Sequence, residues 1–212
     1  MKKILIALPK GRILEDLLPI LKRANLEIED SFFDKNSRKL TFTTSNPNID
    51  IVRVRSFDVA TFVKSGAADI GVCGLDVLEE FKSEEVFPVL NLKIGKCRLS
   101  IAARKDDKID LDQITSTKIA TKYPNIAKEF FAKNSIQSQI IKLNGAIEIA
   151  PKLNLSNMIM DLVSSGKTLE ENEMVEIKTL LDVTSYLIVN RSSLKTKNAV
   201  ITQLISDFDA AI

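Results

Sequence analysis

The sequence contains no histidine and no tryptophan among its 212 residues. Histidine is the commonest general base and the commonest ligand of transition metals. A hydrolase that depends on a Ser/His or Cys/His pair is therefore excluded, and we expect no metal site built by the protein itself. Any chemistry must rely on carboxylates, lysines, arginines, backbone amides and metal ions that arrive with a substrate.

Long apolar runs and cysteines are also scarce. No apolar run approaches the roughly 20 residues that span a bilayer. The short run after Met1 leads into Pro9-Lys10-Gly11-Arg12 instead of a small-residue cleavage site, which argues against a signal peptide. Cys73 and Cys97 are too few for a disulfide scaffold. We expect a cytoplasmic protein with no membrane partner.

An excess of charge of one sign is missing as well. Thirty basic and 28 acidic residues give a formal net charge of +2. Domains that bind nucleic acids usually carry a marked basic excess, so no nucleic-acid partner is expected. Local basic pockets for phosphorylated small molecules remain compatible with this balance. The apolar fraction of 45% and the charged fraction of 27% are typical of a globular protein.

Short apolar runs alternate with amphipathic stretches, which predicts an α/β fold. The pattern restarts near residue 90, so we predict two α/β lobes with a cleft between them. Residues 1–90 and 182–212 would form the first lobe, and 91–181 the second. Strands are predicted at 3–8, 39–44, 49–55, 68–74, 89–94, 98–103, 118–121, 139–143, 157–163 and 175–178, and helices at 13–24, 56–64 (capped by Ser56), 75–81, 123–133 and 192–211.

The segment DLVSSGKTL at 161–169 has the composition of an anion site. An apolar strand with one acid runs into small hydroxylated residues and then into a stretch with helical character. Small residues let the backbone approach an anion closely, and amides at a helix start carry partial positive charge. Ser164, Ser165 and Thr168 add hydroxyl donors, and Lys167 adds a charge. The segment therefore predicts a site for a terminal phosphate.

The segment has two other interpretations. The ending Gly-Lys-Thr matches a nucleoside-triphosphate P-loop, but that motif needs a glycine five positions before Gly166, where this chain has Asp161. A solvated turn explains the loop by itself equally well. Asp161 favours the phosphate site, because a carboxylate within an apolar strand is costly without partners. Ribose hydroxyls next to the phosphate would supply them.

Basic residues elsewhere are candidate phosphate contacts. Lys10 and Arg12 follow the first strand, at the usual ligand edge of an α/β sheet, although a solvated basic turn is the alternative. Arg53 and Arg55 share one strand face by period-two alternation. We assign Arg55, nearer the strand end, to substrate, whereas Arg53 could equally be paired within the fold. Arg38 is a weaker candidate.

Six further segments accompany 161–169 along nearly the whole chain: LPKGR at 8–12, VRVRSFDV at 52–59, ADIGVCGLDVL at 68–78, GKCRL at 95–99, IATKYPN at 119–125 and LNGAIEIAP at 143–151. Their order and spacing give the chain a resemblance to the ATP phosphoribosyltransferase family. It implies transfer of the phosphoribosyl group of phosphoribosyl pyrophosphate to N1 of the adenine of ATP, releasing pyrophosphate. In that family, this reaction is the first step of histidine biosynthesis.

The resemblance also implies a fold, a cofactor and a partner. The family fold has two α/β lobes like type II periplasmic binding proteins. Mg²⁺ is expected to arrive bound to substrate oxygens. The chain has no room for the C-terminal regulatory domain of the family's long form, so we expect the short form. That form works in a hetero-oligomer with a regulatory subunit resembling histidyl-tRNA synthetase.

Site residues are implied for both substrates. Phosphoribosyl pyrophosphate is expected at Asp161, Ser164, Ser165, Gly166, Lys167 and Thr168, and ATP or cleft contacts at Lys10, Arg12, Arg38, Arg55, Cys97 and Glu148. No residue is assigned as the catalytic group, and Lys10, Arg12 and Arg55 are electrostatic candidates only. For Cys97 the alternative is a small buried apolar role, and for Glu148 a surface glutamate.

Two other functions fit the pattern less well. A binding protein of the same two-lobed fold would explain the strands and the anion loop, but not Asp161 in register with the Gly-Lys-Thr sequence. The effector half of a transcription regulator would need a helix-turn-helix ahead of it, and none is recognisable. An enzyme of the phosphoribosyltransferase class remains the prediction.

Overall fold

A computed structural model of the chain describes residues 3–34 and 36–212. The chain divides into two units, each with its own sheet. The first consists of the residues up to Gly95 together with Thr184–Ile212, and the second is Lys96–Val183. The sequence-based division placed these boundaries at 90/91 and 181/182.

The elements alternate between strand and helix through most of the chain. In chain order they are β1 Ile4–Pro9, α1 Arg12–Arg23, β2 Thr41–Thr43, β3 Ile49–Val54, α2 Ser56–Lys64, β4 Ile70–Gly74, α3 Leu75–Phe81, β5 Val86–Asn91, β6 Cys97–Arg104, β7 Ser116–Thr121, α4 Pro124–Lys133, β8 Gln137–Lys142, β9 Met158–Val163, α5 Lys167–Glu171, β10 Met174–Val183, β11 Ser185–Asn190, α6 Arg191–Thr196 and α7 Asn198–Ala210, with 3₁₀ turns at Asp30–Phe32, Lys105–Asp107 and Ile147–Ile149.

The first unit is built on a six-stranded sheet in the order β2-β3-β1-β4-β11-β5. Strands β3 and β4 run parallel to β1, so the carboxyl ends of all three lie at one edge. Helix α2 approaches β4 closely, because a Cβ added at Gly71 would lie 2.6 Å from Val59. Buried apolar residues on both faces of the sheet form the core. The polar residues that follow β1 and β3 are thereby brought together.

The second unit is built on a five-stranded sheet in the order β10-β6-β9-β7-β8. Strand β7 is parallel to β8 and β9, whereas β6 runs antiparallel to β9 and β10. The start of β6 therefore lies beside the end of β9, with Arg98 opposite Val163. This register places the first residues of β6 next to the loop that follows β9.

The structure corrects three details of the predicted elements. Helix 192–211 is divided at Lys197, whose ammonium lies 2.8 Å from both carboxylate oxygens of Asp69. Ser56 is not the cap of α2, since Arg55 occupies that position and no side chain caps the helix. Strand β5 pairs with β11 in the first sheet and lies wholly in the first unit, although the corresponding predicted strand, 89–94, crosses the predicted boundary at 90/91. Within the described residues, no helix is both long and apolar enough to cross a bilayer.

Candidate functional site

Asp161 interrupts the otherwise apolar strand β9. The three residues before it, Met158 to Met160, are buried, while Asp161 is half-buried. Its Oδ1 accepts a hydrogen bond of 2.8 Å from the amide of Leu162, which orients the carboxylate. In the antiparallel pairing with β6, Ser100 is directly opposite. Side chains that are directly opposite lie on the same face of a sheet, so this face carries both polar groups.

The loop that follows β9 turns at Gly166. Its φ of +83° is a left-handed conformation, which glycine adopts without the strain that a side chain would add. A Cβ built there would meet no atom within 4 Å, so the backbone at this point borders open space. Helix α5 begins at the next residue. An anion can therefore approach the backbone amides of the loop closely.

A cavity of about 130 Å³ lies in front of this loop and the adjoining strand face. Its polar lining comprises Ser100, Glu148, Asp161, Ser164, Ser165, Gly166 and Thr168. Five of the six residues predicted for phosphoribosyl pyrophosphate thus lie together. Lys167 is the sixth, and it does not line the cavity. Its side chain is 78% exposed, and its ammonium lies 3.7 Å from the carboxylate of Glu171.

Glu148 reaches the same cavity from a different part of the chain. It lies in the 3₁₀ turn Ile147–Ile149, which follows Ala146 in a left-handed conformation with φ 49°. Ile147 is buried in an apolar cluster with the cavity-lining residues Ala102 and Ile159, which anchors the turn. Two carboxylates, Glu148 and Asp161, consequently share a cavity with several hydroxyls, and no lysine or arginine is among its described lining residues.

An ion pair stands next to the cavity. Arg98 Nε and Nη2 donate to the two carboxylate oxygens of Glu176 at 2.7 and 2.6 Å. Ser100 and Thr179 also donate to this carboxylate, at 2.6 and 2.8 Å. These donors, Arg98 first, lower the pKa of Glu176 to about 2. The third guanidinium nitrogen, Nη1, donates to the carbonyl of Ser164 at 3.2 Å.

Glu176 was not predicted as a site residue from the sequence. A glutamate within the apolar alternation of a strand is the signal that could have found it, by the argument already used for Asp161. Arg98 had been noted only as part of the family segment GKCRL. Its contact with the carbonyl of Ser164 depends on the pairing of β6 with β9, which sequence alone does not give.

The first unit carries a basic edge, defined here as Lys10, Arg12 and Arg55. All three side chains are exposed. The amide of Lys10 donates to the carbonyl of Val54 at 2.9 Å, which ties the end of β1 to the end of β3 just before Arg55. Helix α1 begins at Arg12, after Gly11 in a left-handed conformation with φ 92°. The fold thus brings together the three predicted electrostatic residues.

Arg53 has a different role from Arg55. Its guanidinium donates to the carbonyl of Phe32 at 2.7 Å and lies 5.0 and 5.1 Å from the ring centres of Phe32 and Phe42. Cation–π contact and a hydrogen bond therefore occupy it within the fold. Arg55, two residues on, is exposed at the start of α2. The alternation had predicted both on one strand face, but β3 ends at Val54, so Arg55 lies beyond the strand and its environment differs from that of Arg53.

The remaining candidates lie outside the cavity lining. Arg38 is exposed in the segment before β2. Cys97 is half-buried as the first residue of β6, and Cys73 is fully buried. Burial raises the pKa of the Cys73 thiol well above its usual range. Within the described residues, no three acidic or cysteine side chains cluster in a way that could hold a metal ion.

Comparisons with known proteins agree on one family. A family model described as ATP phosphoribosyltransferase matches residues 55–210. An ATP phosphoribosyltransferase of Rhodospirillum rubrum is 50% identical over 211 residues, covering 99% of this chain and 93% of that protein. The corresponding protein of Gluconobacter oxydans is 50% identical over 210 residues, covering 99% of this chain and 87% of its own length.

Solved structures give the same result at the level of the fold. The ATP phosphoribosyl transferase (HisG:HisZ) complex from Thermotoga maritima contains a chain that superposes with a TM-score of 0.84 at 28% identity, covering 98% of both chains. The ligand-binding component of an ABC-type import system from Staphylococcus aureus superposes with a TM-score of 0.57 at 13% identity, covering 100% of this chain and 74% of that one. The second likeness shows the fold alone, and the prediction of a two-lobed fold of the type II periplasmic-binding-protein class is confirmed.

Proposed function

This chain belongs to the ATP phosphoribosyltransferase family, which transfers the phosphoribosyl group of phosphoribosyl pyrophosphate to ATP in the first step of histidine biosynthesis, and we propose that it binds phosphoribosyl pyrophosphate in the cavity around Asp161 and Gly166. One observation carries this assignment. Two carboxylates and a loop of small hydroxylated residues line the same cavity, although Glu148 and Asp161 come from different segments.

The two kinds of group suit the two parts of a ribose phosphate. Carboxylates accept hydrogen bonds from sugar hydroxyls, which repays the cost of keeping Asp161 on an apolar strand. Loop amides and the hydroxyls of Ser164, Ser165 and Thr168 donate to phosphate oxygens. Lys167 contributes its backbone amide in this assignment, since its ammonium lies near Glu171. The cavity therefore needs no basic side chain to hold the 5′-phosphate.

The reaction builds positive charge on the ribose and negative charge on pyrophosphate. The acidic cavity suits the positively charged ribose. Breaking the bond between C1 of the ribose and pyrophosphate builds positive charge on the sugar, which Glu148 and Asp161 would stabilise. Negative charge gathers on the departing pyrophosphate. We assign the basic edge of Lys10, Arg12 and Arg55 to phosphate groups of the substrates, either pyrophosphate or ATP. Alignment and electrostatic stabilisation account for rate in such a reaction without a histidine.

Magnesium is part of this proposal as a component of the substrate. Mg²⁺ retains several waters and binds phosphate oxygens readily. The ion would enter on pyrophosphate oxygens, where it offsets the charge of the leaving group. The chain's own contribution is to hold the ribose hydroxyls and the 5′-phosphate while that group departs.

Assembly with a regulatory subunit is also proposed. The Thermotoga maritima structure is described as a HisG:HisZ complex, and its matching chain covers 98% of this one. We infer that this chain forms a hetero-oligomer with a subunit resembling histidyl-tRNA synthetase. The two free cysteines fit a reducing compartment, so we place the complex in the cytoplasm.

Formation of phosphoribosyl-ATP tests the function directly. The purified chain is supplied with ATP, Mg²⁺ and phosphoribosyl pyrophosphate, and product absorbance is followed with and without the regulatory subunit. We expect product that depends on both substrates. If neither the chain nor the complex forms product, while calorimetry shows phosphoribosyl pyrophosphate bound tightly, a binding protein becomes the better description.

A further inference from the structure

The phosphate loop, residues 164–168, is contacted by a side chain from a neighbouring strand. Arg98, on β6, donates from Nη1 to the carbonyl oxygen of Ser164 at 3.2 Å. A trans peptide group is planar, with its carbonyl and its N–H pointing in opposite directions. Fixing the carbonyl of Ser164 therefore also fixes the direction in which the N–H of Ser165 points. That amide belongs to the loop assigned to the 5′-phosphate.

Arg98 is itself held in one orientation. Its Nε and Nη2 make a bidentate pair with Glu176 at 2.7 and 2.6 Å, a geometry that adds directional specificity to charge attraction. Glu176 accepts further hydrogen bonds from Ser100 and Thr179, at 2.6 and 2.8 Å. Glu176 is held in place because it accepts four hydrogen bonds. Since the guanidinium of Arg98 is planar, its remaining nitrogen, Nη1, is then directed at the loop.

Ser100 links the ion pair of Arg98 and Glu176 to the cavity. Thr179, Ser100 and Asp161 are successive partners across β10, β6 and β9, so they form one row on the sheet. Ser100 is 1% exposed and lines the cavity next to Asp161. The carboxylate of Glu176 is thus hydrogen-bonded to a cavity-lining residue, and Arg98 connects it to the phosphate loop.

We propose that Arg98, oriented by Glu176, is a positioning residue that presets the peptide between Ser164 and Ser165 for binding the 5′-phosphate of phosphoribosyl pyrophosphate. This inference rests on the assignment of the loop to that substrate. Neither Arg98 nor Glu176 needs to touch the substrate. Their effect is on the substrate that the loop holds, and the affinity for ATP does not depend on this contact.

The substitution Arg98→Lys separates positioning from charge. The lysine ammonium is a compact point charge that can pair with Glu176, but it lacks the planar fork that reaches two partners in fixed directions. Arg104 provides a matched control on the same strand. It makes a bidentate pair with Asp107 at 3.0 and 2.8 Å, and it does not line the cavity. Arg104→Lys therefore removes an equivalent fork without touching the loop.

The experiment compares Arg98→Lys, Arg104→Lys and the wild-type protein, each with its regulatory subunit. KM is measured for each substrate at saturating concentrations of the other, and calorimetry gives the Kd of phosphoribosyl pyrophosphate. We expect Arg98→Lys to raise the KM and Kd for phosphoribosyl pyrophosphate by about tenfold or more, as for loss of a hydrogen bond involving a charged group. The KM for ATP and the Tm should stay near wild type, and Arg104→Lys should behave as wild type.

Glu176→Gln extends the test and covers failure of Arg98→Lys to fold. This variant keeps the guanidinium but loosens its orientation, so it should raise the KM for phosphoribosyl pyrophosphate as well. Combining it with Arg98→Lys should cost little more than Arg98→Lys alone, because residues that act through one contact are not additive.

Two results would overturn the inference. One is a wild-type KM for phosphoribosyl pyrophosphate in a folded Arg98→Lys or Glu176→Gln protein. The other is an equal rise in both KM values together with a lowered Tm, which would make the pair purely structural. Failure of the underlying assignment looks different: either the wild-type protein fails to bind phosphoribosyl pyrophosphate, or the Gly166→Val variant binds it as tightly as the wild type does.

Discussion

Asp161 lies directly opposite Ser100 in the pairing of β9 with β6, and both line the cavity assigned to phosphoribosyl pyrophosphate. The hydroxyl of Ser100 donates to Glu176 at 2.6 Å. The proton of Ser100 is therefore committed to Glu176 and not to Asp161, whose Oδ1 accepts from the amide of Leu162. This arrangement orients the Asp161 carboxylate on the wall of a cavity that suits a sugar with several hydroxyls.

Replacing Asp161 by asparagine should impair turnover. The amide keeps the shape of the side chain, but it loses the negative charge that faces the developing positive charge on the ribose. We expect kcat/KM for phosphoribosyl pyrophosphate to fall about 10- to 100-fold, as for loss of hydrogen bonds to a charged group. Asp112→Asn, at an exposed acid of the same unit outside the cavity lining, is the control. Equal kinetics for the two variants would remove Asp161 from the site.

Substitution of Gly166 tests the phosphate loop. At φ +83° any side chain is strained, and a valine would fill the open space in front of the loop amides. We expect Gly166→Val to weaken binding of phosphoribosyl pyrophosphate severely while the protein remains folded. Gly66→Ala serves as a control for strain, because Gly66 has φ +72° in the first unit and is remote in sequence from the loop. Calorimetry that shows wild-type affinity in folded Gly166→Val would contradict the assignment.

The basic edge can be tested against the opposite edge of its own sheet. Arg12→Ala and Arg55→Ala should each lower kcat/KM about 10- to 100-fold, because each removes a hydrogen-bonding charge from substrate phosphates. Arg191→Ala is the matched control. Strand β11 runs antiparallel to β4, so Arg191, which follows β11, is an exposed arginine at the other edge. Steady-state kinetics for both substrates are measured for all three variants. If Arg12→Ala and Arg55→Ala have the same kinetics as Arg191→Ala, the basic edge is only a solvated surface.

Local sequence patterns predicted most elements well. Strand β4 followed by α3 is an example, because an apolar run ending at Gly74 and a helical period over residues 75–81 are visible without any partner. The break at Lys197 was not predictable in this way. It depends on an ion pair with Asp69, 128 residues away in sequence, which draws the lysine out of the helix. Contacts of that separation leave no trace in local periodicity.

The residues of the candidate site likewise separate into those that local sequence predicts and those that depend on distant contacts. The loop and Asp161 were predicted from residue types alone, since a costly carboxylate and a run of small hydroxylated residues are local signals. Glu148 came only from the family resemblance, and the structure places it in the same cavity. The ion pair of Arg98 with Glu176 was missed, because it exists only through the pairing of β6 with β10.

The same ion pair predicts a response to acid. The folded-state pKa of Glu176, lowered to about 2 chiefly by Arg98, lies below its ordinary value of 4.5. A depressed carboxyl pKa stabilises the folded protein above the ordinary value, and this contribution is lost as pH falls from about 4.5 towards 2. Glu176→Gln should therefore lower the free energy of unfolding at pH 6 but not at pH 2.

The same linkage gives the size of the expected change in the free energy of unfolding and the way to measure it. Each pKa unit is worth about 1.4 kcal/mol, and screening by solvent at this partly exposed pair reduces the total to about 1–2 kcal/mol at pH 6. Urea unfolding followed by circular dichroism at pH 6, 4 and 2 gives the difference between wild type and variant, since the chain has no tryptophan for fluorescence. The pKa of Glu29 is also lowered, chiefly by its hydrogen bond with Lys39, but Glu29 is present in both proteins and its contribution cancels. A difference that stayed constant from pH 6 to pH 2 would show that Arg98 does not hold Glu176 ionised, and the orientation proposed for Arg98 would then lose its support.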